Sequence, residues 1–154
     1  GDKEARAPSR VAPLHIAAMK GYEAVVQVLL AAGANKEARD EHQYTPLHSA
    51  VMNGHESVVQ VLLAAGGDKE ARAPSRVAPL HIAAMKGYEA VVQVLLAAGA
   101  DKEARQVQQC TPLHLSAGKG HEAVVQVLLA AGADREARED QQCTPLHFAA
   151  DQGH

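Results

Sequence analysis

Thr45-Pro46-Leu47-His48-Ser49-Ala50-Val51-Met52-Asn53-Gly54-His55-Glu56-Ser57-Val58-Val59-Gln60-Val61-Leu62-Leu63-Ala64-Ala65-Gly66 is the stretch that decides how the whole chain is read. Its Pro-Leu-His returns at Pro13, Pro79, Pro112 and Pro145, so that five copies stand 33 residues apart. Its second half returns as Glu-Ala-Val-Val-Gln-Val-Leu-Leu-Ala-Ala-Gly from Glu23, Glu89 and Glu122, Ser57 being the one change in the copy that begins at Glu56. Residues 1–33 are identical to residues 67–99.

Each copy punctuates itself. The Thr45 hydroxyl suits an N-cap, Pro46 fits the first helical position where no N–H is missed, and Gly54 can take the left-handed stop. The spacing predicts a helix of about two turns there. A second helix is expected from about Glu56 to Ala65, ending at Gly66. Gly67-Asp68-Lys69-Glu70-Ala71-Arg72 is too polar to extend it and forms a loop into the next cap. One such helix pair cannot bury its own apolar face, so the copies must stack, each covering its neighbour. The expected domain is a single array over 1–154, with units of about 1–33, 34–66, 67–99 and 100–132 and a shorter fifth, 133–154.

Thr-Pro-Leu-His, then Ala-Ala-x-x-Gly-His, then Val-Val-x-x-Leu-Leu-x-x-Gly-Ala resembles the ankyrin repeat, and the resemblance covers the whole chain. It implies an all-α solenoid of helix-turn-helix units. The polar loops would form β-hairpin-like fingers, the Pro-Leu-His helices would line a concave face, and the Val-Val/Leu-Leu helices would pack outside. The family's His ties turns together by hydrogen bonds, which is the role implied for His15, His48, His81, His114 and His147. Two departures stand out. Ala12 and Ala78 replace the capping Thr, and the finger tips carry Arg10, Gln43, Arg76, Gln109 and Gln142 where the family has Gly, which points to a differently shaped or strained tip.

Composition narrows the function. Aromatic residues are 3% of the chain, with no Trp and one Phe, so the core is built from Ala, Val and Leu and leaves little room for a large ligand cavity. A net charge of −3 provides no broad positive field, so nucleic acid is not an expected partner. The longest apolar run, Val25 to Ala34, is broken by Gln27 and Gly33, and no apolar segment follows basic residues at the N-terminus. Neither a membrane partner nor export is expected. With two cysteines, Cys110 and Cys143, one unit apart, free thiols and a reducing, cytoplasmic compartment are the expectation.

Chemical motifs fail on spacing. His55-Glu56 and His121-Glu122 begin like a zinc-protease helix, but Val59 and Val125 stand where its second His belongs. The Pro-Leu-His histidines recur a whole unit apart, too far to share an ion. Gly118-Lys119-Gly120-His121-Glu122-Ala123 matches a dinucleotide fingerprint but lies between two helices, with no strand to present a phosphate. No serine sits on a strand-to-helix elbow. No cofactor, metal or catalysis is expected.

If shared residues make the frame, recognition falls to the columns where units differ. Before the cap these are Val11, Tyr44, Val77, Cys110 and Cys143; at the tip, Ser9, His42, Ser75, Gln108 and Gln141, with Arg10 and Arg76 beside them. On the first helix they are Met19, Met52, Met85, Gly118 and Asp151, then Lys20, Asn53, Lys86, Lys119 and Gln152. The Ile16, Ser49, Ile82, Leu115 and Phe148 column reads equally as groove or core. Tyr44 is the best single anchor. Arg10, Lys20, Arg76 and Lys86 make the first and third units basic, whereas Glu139, Asp140 and Asp151 make the last acidic. The charged loop strings beginning at Asp2, Asn35, Asp68, Asp101 and Asp134 read as a solvated edge.

The expected function is a non-catalytic protein-protein interaction module that uses the hairpin tips and concave helix face. The identical first and third units fit an engineered binding scaffold. The alternative is a structural scaffold or spacer from a longer natural array. Without a polar capping unit at either end, molecules are expected to stack end to end.

Overall fold

The computed structural model describes residues 12–153. Among them the chain forms α1 (Pro13–Lys20), α2 (Glu23–Ala31), α3 (Pro46–Met52), α4 (Glu56–Ala64), a short 3₁₀ turn (Pro74–Arg76), α5 (Pro79–Lys86), α6 (Glu89–Ala97), α7 (Pro112–Gly118), α8 (Glu122–Ala130) and α9 (Pro145–Asp151). No strand is formed among the described residues; a single antiparallel bridge joins Ala73 to Val77. This is the all-α solenoid expected of an ankyrin array.

Every odd-numbered helix starts in the same way. A residue with extended backbone precedes a proline at the first helical position, and Thr45, Thr111 and Thr144 accept the His48, His114 and His147 amides respectively. Ala12 and Ala78 have no side-chain cap, the loss read from the sequence. Helices α1 and α5 stop at Gly21 and Gly87, whose φ angles of 76° and 77° are left-handed. At both, a Cβ would also fall 2.6 Å from a ring nitrogen, that of His55 and His121 respectively, so glycine is required twice over.

The helices form two rows, α1-α3-α5-α7-α9 and α2-α4-α6-α8; each packs on its row neighbours, and α1, α3, α5 and α7 each pack on the second helix of their unit. The first row makes the closer contacts of the two. The core runs unbroken along the seam. It holds the buried Leu14, Leu47, Leu80 and Leu113 of Pro-Leu-His, with Val58, Val59 and Leu62 of α4, Val91, Val92 and Leu95 of α6, and Val124 and Leu128 of α8. The ambiguous Ile column resolves by position: Ser49 and Ile82 are buried, whereas Ile16 is exposed at the end of the stack.

Candidate functional site

The Pro-Leu-His histidines that invite a metal reading are held by hydrogen bonds instead, and three of them join one unit to the next. In all five, Nδ1 accepts the backbone N–H of its own cap residue: Ala12, Thr45, Ala78, Thr111 and Thr144. An atom that accepts from an amide carries no proton, so the ring proton sits on Nε2. From there His15 donates to the Tyr44 carbonyl at 2.9 Å, His81 to Ala104 at 2.9 Å and His114 to Cys143 at 3.0 Å, each in the next unit. Exposed His147 makes no such bond among the described residues, and His48 is the buried exception. Its Nε2 is buried without a well-formed partner, although the nearby carbonyls of Val77 and Ala71 favour its proton. Val77 belongs to the one described tip built differently, and its carbonyl is taken by the Ala73 amide at 2.8 Å.

Burial is the main cause of lowered pKa values in these rings. His48 and His81 each fall to about 4, despite opposing help from carbonyls of Val77 and Ala71 in one case and Ala104 and Cys110 in the other. His114 moves the same way for the same reason. Neutral rings are what the tether needs, since a protonated Nδ1 could no longer accept.

The charged strings are a ladder rather than a solvated edge. Glu37, Glu70 and Glu103 accept, through Oε2, the amides of Asp68, Asp101 and Asp134 in the following unit at 2.8–2.9 Å. Arg39 Nη1 donates to the Gln43 carbonyl of its own tip and the Arg72 carbonyl of the next finger. Arg72 does so to Arg76 and Arg105, and Arg105 to Gln109 and Arg138. Mixed charge in the sequence hid this because each acceptor lies about one repeat away.

These arginines also hold the tips, where the expected strain is found. Gln43, Gln109 and Gln142 have φ of 67°, 64° and 66°. Such a backbone costs a non-glycine residue on the order of 1 kcal/mol or more. Beneath each, one side-chain oxygen closes the turn: Asp40 accepts from His42 and Tyr44, Gln106 from Gln108 and Cys110, and Glu139 from Gln141 and Cys143. Ala73 occupies that position in the third unit and has no such oxygen. There Ser75 and Arg76 both turn left-handed, at φ 65° and 61°.

The sequence-predicted site residues fall into two groups. Met19, Lys20, His42, Tyr44, Met52, Asn53, Ser75, Arg76, Val77, Met85 and Lys86 are at least partly exposed and spread along the first-helix row and its tips. Ser9, Arg10 and Val11 lie outside the described residues. Gln108, Cys110, Lys119, Gln141, Cys143 and Asp151 instead converge on one groove of about 620 Å³ between the fourth and fifth units, with Leu115 and Phe148 in its lining. The Phe148 ring meets His114 edge-on at 5.1 Å.

Glu139, read from the sequence only as one of several acidic charges, is buried in this groove. Burial pushes its carboxyl up, but the amides of Cys143 and Gln141 outweigh that and hold it below the usual range. Burial and the Glu139 carboxylate raise both thiols, Cys110 to about 11, so both are protonated at neutral pH. They are free, and neither is an activated nucleophile. Among the described residues no three His, Cys, Asp or Glu side chains converge to hold an ion, and no helix is long and apolar enough to cross a membrane.

A comparison with curated proteins returned no match. The family model for ankyrin repeats (three copies) matches residues 2–73 and 80–154. Ankyrin repeats generally mediate protein-protein interaction and form a typically non-enzymatic domain. With its paired helices, histidine tethers and stacked fingers covered by that match, the chain belongs to the ankyrin-repeat family.

Proposed function

We propose that the chain is a single-domain, non-catalytic binding module that holds a protein partner along the first-helix row and the finger tips. The groove between the fourth and fifth units is the strongest point of contact. One observation carries this reading: Gln108, Cys110, Lys119, Gln141, Cys143, Asp151 and Gln152, all from columns where units differ, meet in a single cleft over Phe148, while the shared residues are spent on tethers and core. Leu115 and Phe148 offer apolar surface, and Glu139, Asp140 and Asp151 outnumber Lys119 around it. A segment that brings an apolar side chain beside a basic one suits this surface, and charge also steers its approach. Tyr44 and Met52 extend the same row toward the N-terminal end.

Recovery of bound proteins by immobilised chain, repeated with Asp151→Lys and with Tyr44→Ala/Met52→Ala, tests the reading. The same partner should be lost or weakened at least about tenfold by Asp151→Lys, a change of roughly 1.4 kcal/mol. A partner retained equally by every variant would place recognition elsewhere.

A further inference from the structure

Glu41, Pro74, Val107 and Asp140 share one column at the finger tips, and Pro74 alone of these has no amide hydrogen. In two of the other fingers that amide ties one tip to the tip before it. Val107 donates to the Ser75 carbonyl at 2.8 Å, and Asp140 donates to that of Gln108 at 3.1 Å. The matching bond from residue 74 to the His42 carbonyl cannot form.

Two more tethers weaken at the same junction, between the second and third units. The Nε2 of His48 is buried without a well-formed partner, whereas His15, His81 and His114 each reach into the next unit at 2.9–3.0 Å. Just beyond the first helices, His55 donates to the Met19 carbonyl at 2.8 Å and His121 to that of Met85 at 2.9 Å. Tyr88 reaches Met52 only at 3.4 Å. Apolar packing does not compensate. Helices α3 and α5 pack least closely of the neighbouring pairs in the first row, and less closely than α5 and α7, a pair of the same lengths.

Other links across this junction are intact. Arg39 donates to the Arg72 carbonyl and Glu37 accepts the Asp68 amide, and α4 packs on α6 as closely as α2 on α4 or α6 on α8. The junction is thus pinned at the charged ladder and along the second-helix row, and weakened at the finger tip and along the first-helix row. Each missing bond makes opening roughly two- to tenfold easier.

We propose that the junction between the second and third units is a hinge, at which the stack opens on its first-helix side about the ladder and second-helix row that stay joined. As it opens, Met52 and Asn53 move away from Met85 and Lys86, so the curvature of the first-helix row changes at one place rather than evenly. The hinge belongs to the free chain and stands whether or not the groove over Phe148 holds a partner.

Exposed Asn53, Lys86 and Lys119 share one column on the first row, and exposed Gln60, Gln93 and Gln126 share one on the second, so nitroxide pairs at these positions compare junctions like for like. Packed layers lie roughly 8–10 Å apart, within the range of dipolar broadening in electron spin resonance. The labels go on paired cysteine substitutions in a chain whose own free thiols are removed by Cys110→Val and Cys143→Val, valine being the residue that Val77 places in that column. The Asn53/Lys86 pair should give a distance distribution at least about twofold wider than the Lys86/Lys119 pair, while Gln60/Gln93 and Gln93/Gln126 give equal widths. Ala73→Asp/Pro74→Glu/Ser75→His/Arg76→Gln copies residues 40–43 into the third finger and should narrow Asn53/Lys86 to the width of Lys86/Lys119. Pro74→Val alone, which restores only the tip amide, should narrow it in part. Equal widths at the two first-row pairs, or a wide Asn53/Lys86 distribution that neither variant narrows, would overturn the hinge. Widening of Gln60/Gln93 to the same degree would overturn it too, since the units would then part altogether rather than swing open on one side.

Discussion

Ile82 and Val91 are 4% and 1% exposed, whereas Ile16 and Val25, the same positions of an identical sequence, are 39% and 46% exposed. The two stretches, 13–33 and 79–99, form the same helices with the same φ at their stop glycines. What differs is company. Helices α5 and α6 lie between row neighbours on both sides, while among the described residues α1 and α2 have a row neighbour on one side, α3 and α4 respectively. Burial in this protein is thus a property of the layer a residue faces, and stability is a sum of nearest-neighbour interfaces rather than of individual helices.

The largest expected effect is acid destabilisation of the covered layers. An unfolded histidine takes up its proton near pH 6.5, but folded His48 and His81 refuse it until about 4. Their contribution is therefore complete above 6.5 and is lost as the pH falls toward 4. Each amounts to ~3 kcal/mol over that window, and His114 adds in the same direction. Urea midpoints measured at about pH 7 and again near pH 4.5 should differ clearly. A midpoint that does not move would mean that the buried rings titrate as freely as exposed ones.

The comparison itself can be broken by truncating both members of one pair. Ile82→Ala should cost about 2–5 kcal/mol, because it opens a cavity with covering atoms on every side. Ile16→Ala, facing solvent already, should cost less than about 1 kcal/mol. Equal costs, read from chemical denaturation of each single variant, would mean that the face bearing Ile16 is covered in solution after all.

Much of the fold was legible because the 33-residue period displays each frame residue five or four times, with proline at the helix start and glycine beyond the end. What lay hidden was whatever joins one unit to the next. Arg39 and Glu37 look like loose surface charge until their acceptor or donor, about one period away, is placed beside them. The groove was legible in part: its varying columns were named, but Glu139 was read as charge alone. Its position, shared with Asp40, Ala73 and Gln106, becomes informative only once two amides of a tip are seen to share one oxygen there.

The smallest expected effect sharpens the same contrast at the caps. Ala78 has φ −87° and ψ 162°, within a few degrees of the −85° and 166° of Thr45, so threonine fits without backbone change. In the Thr units the hydroxyl lies 2.8–2.9 Å from the histidine Nδ1 and also accepts the histidine amide. Ala78→Thr should therefore stabilise by about 0.5–2 kcal/mol and raise the melting temperature by a few degrees. Ala12→Thr restores the same cap in the unit with one neighbour, where local opening already bypasses part of the gain, so its rise should be smaller. A larger rise for Ala12→Thr than for Ala78→Thr would show that the end layer, rather than the interior, sets when the stack melts.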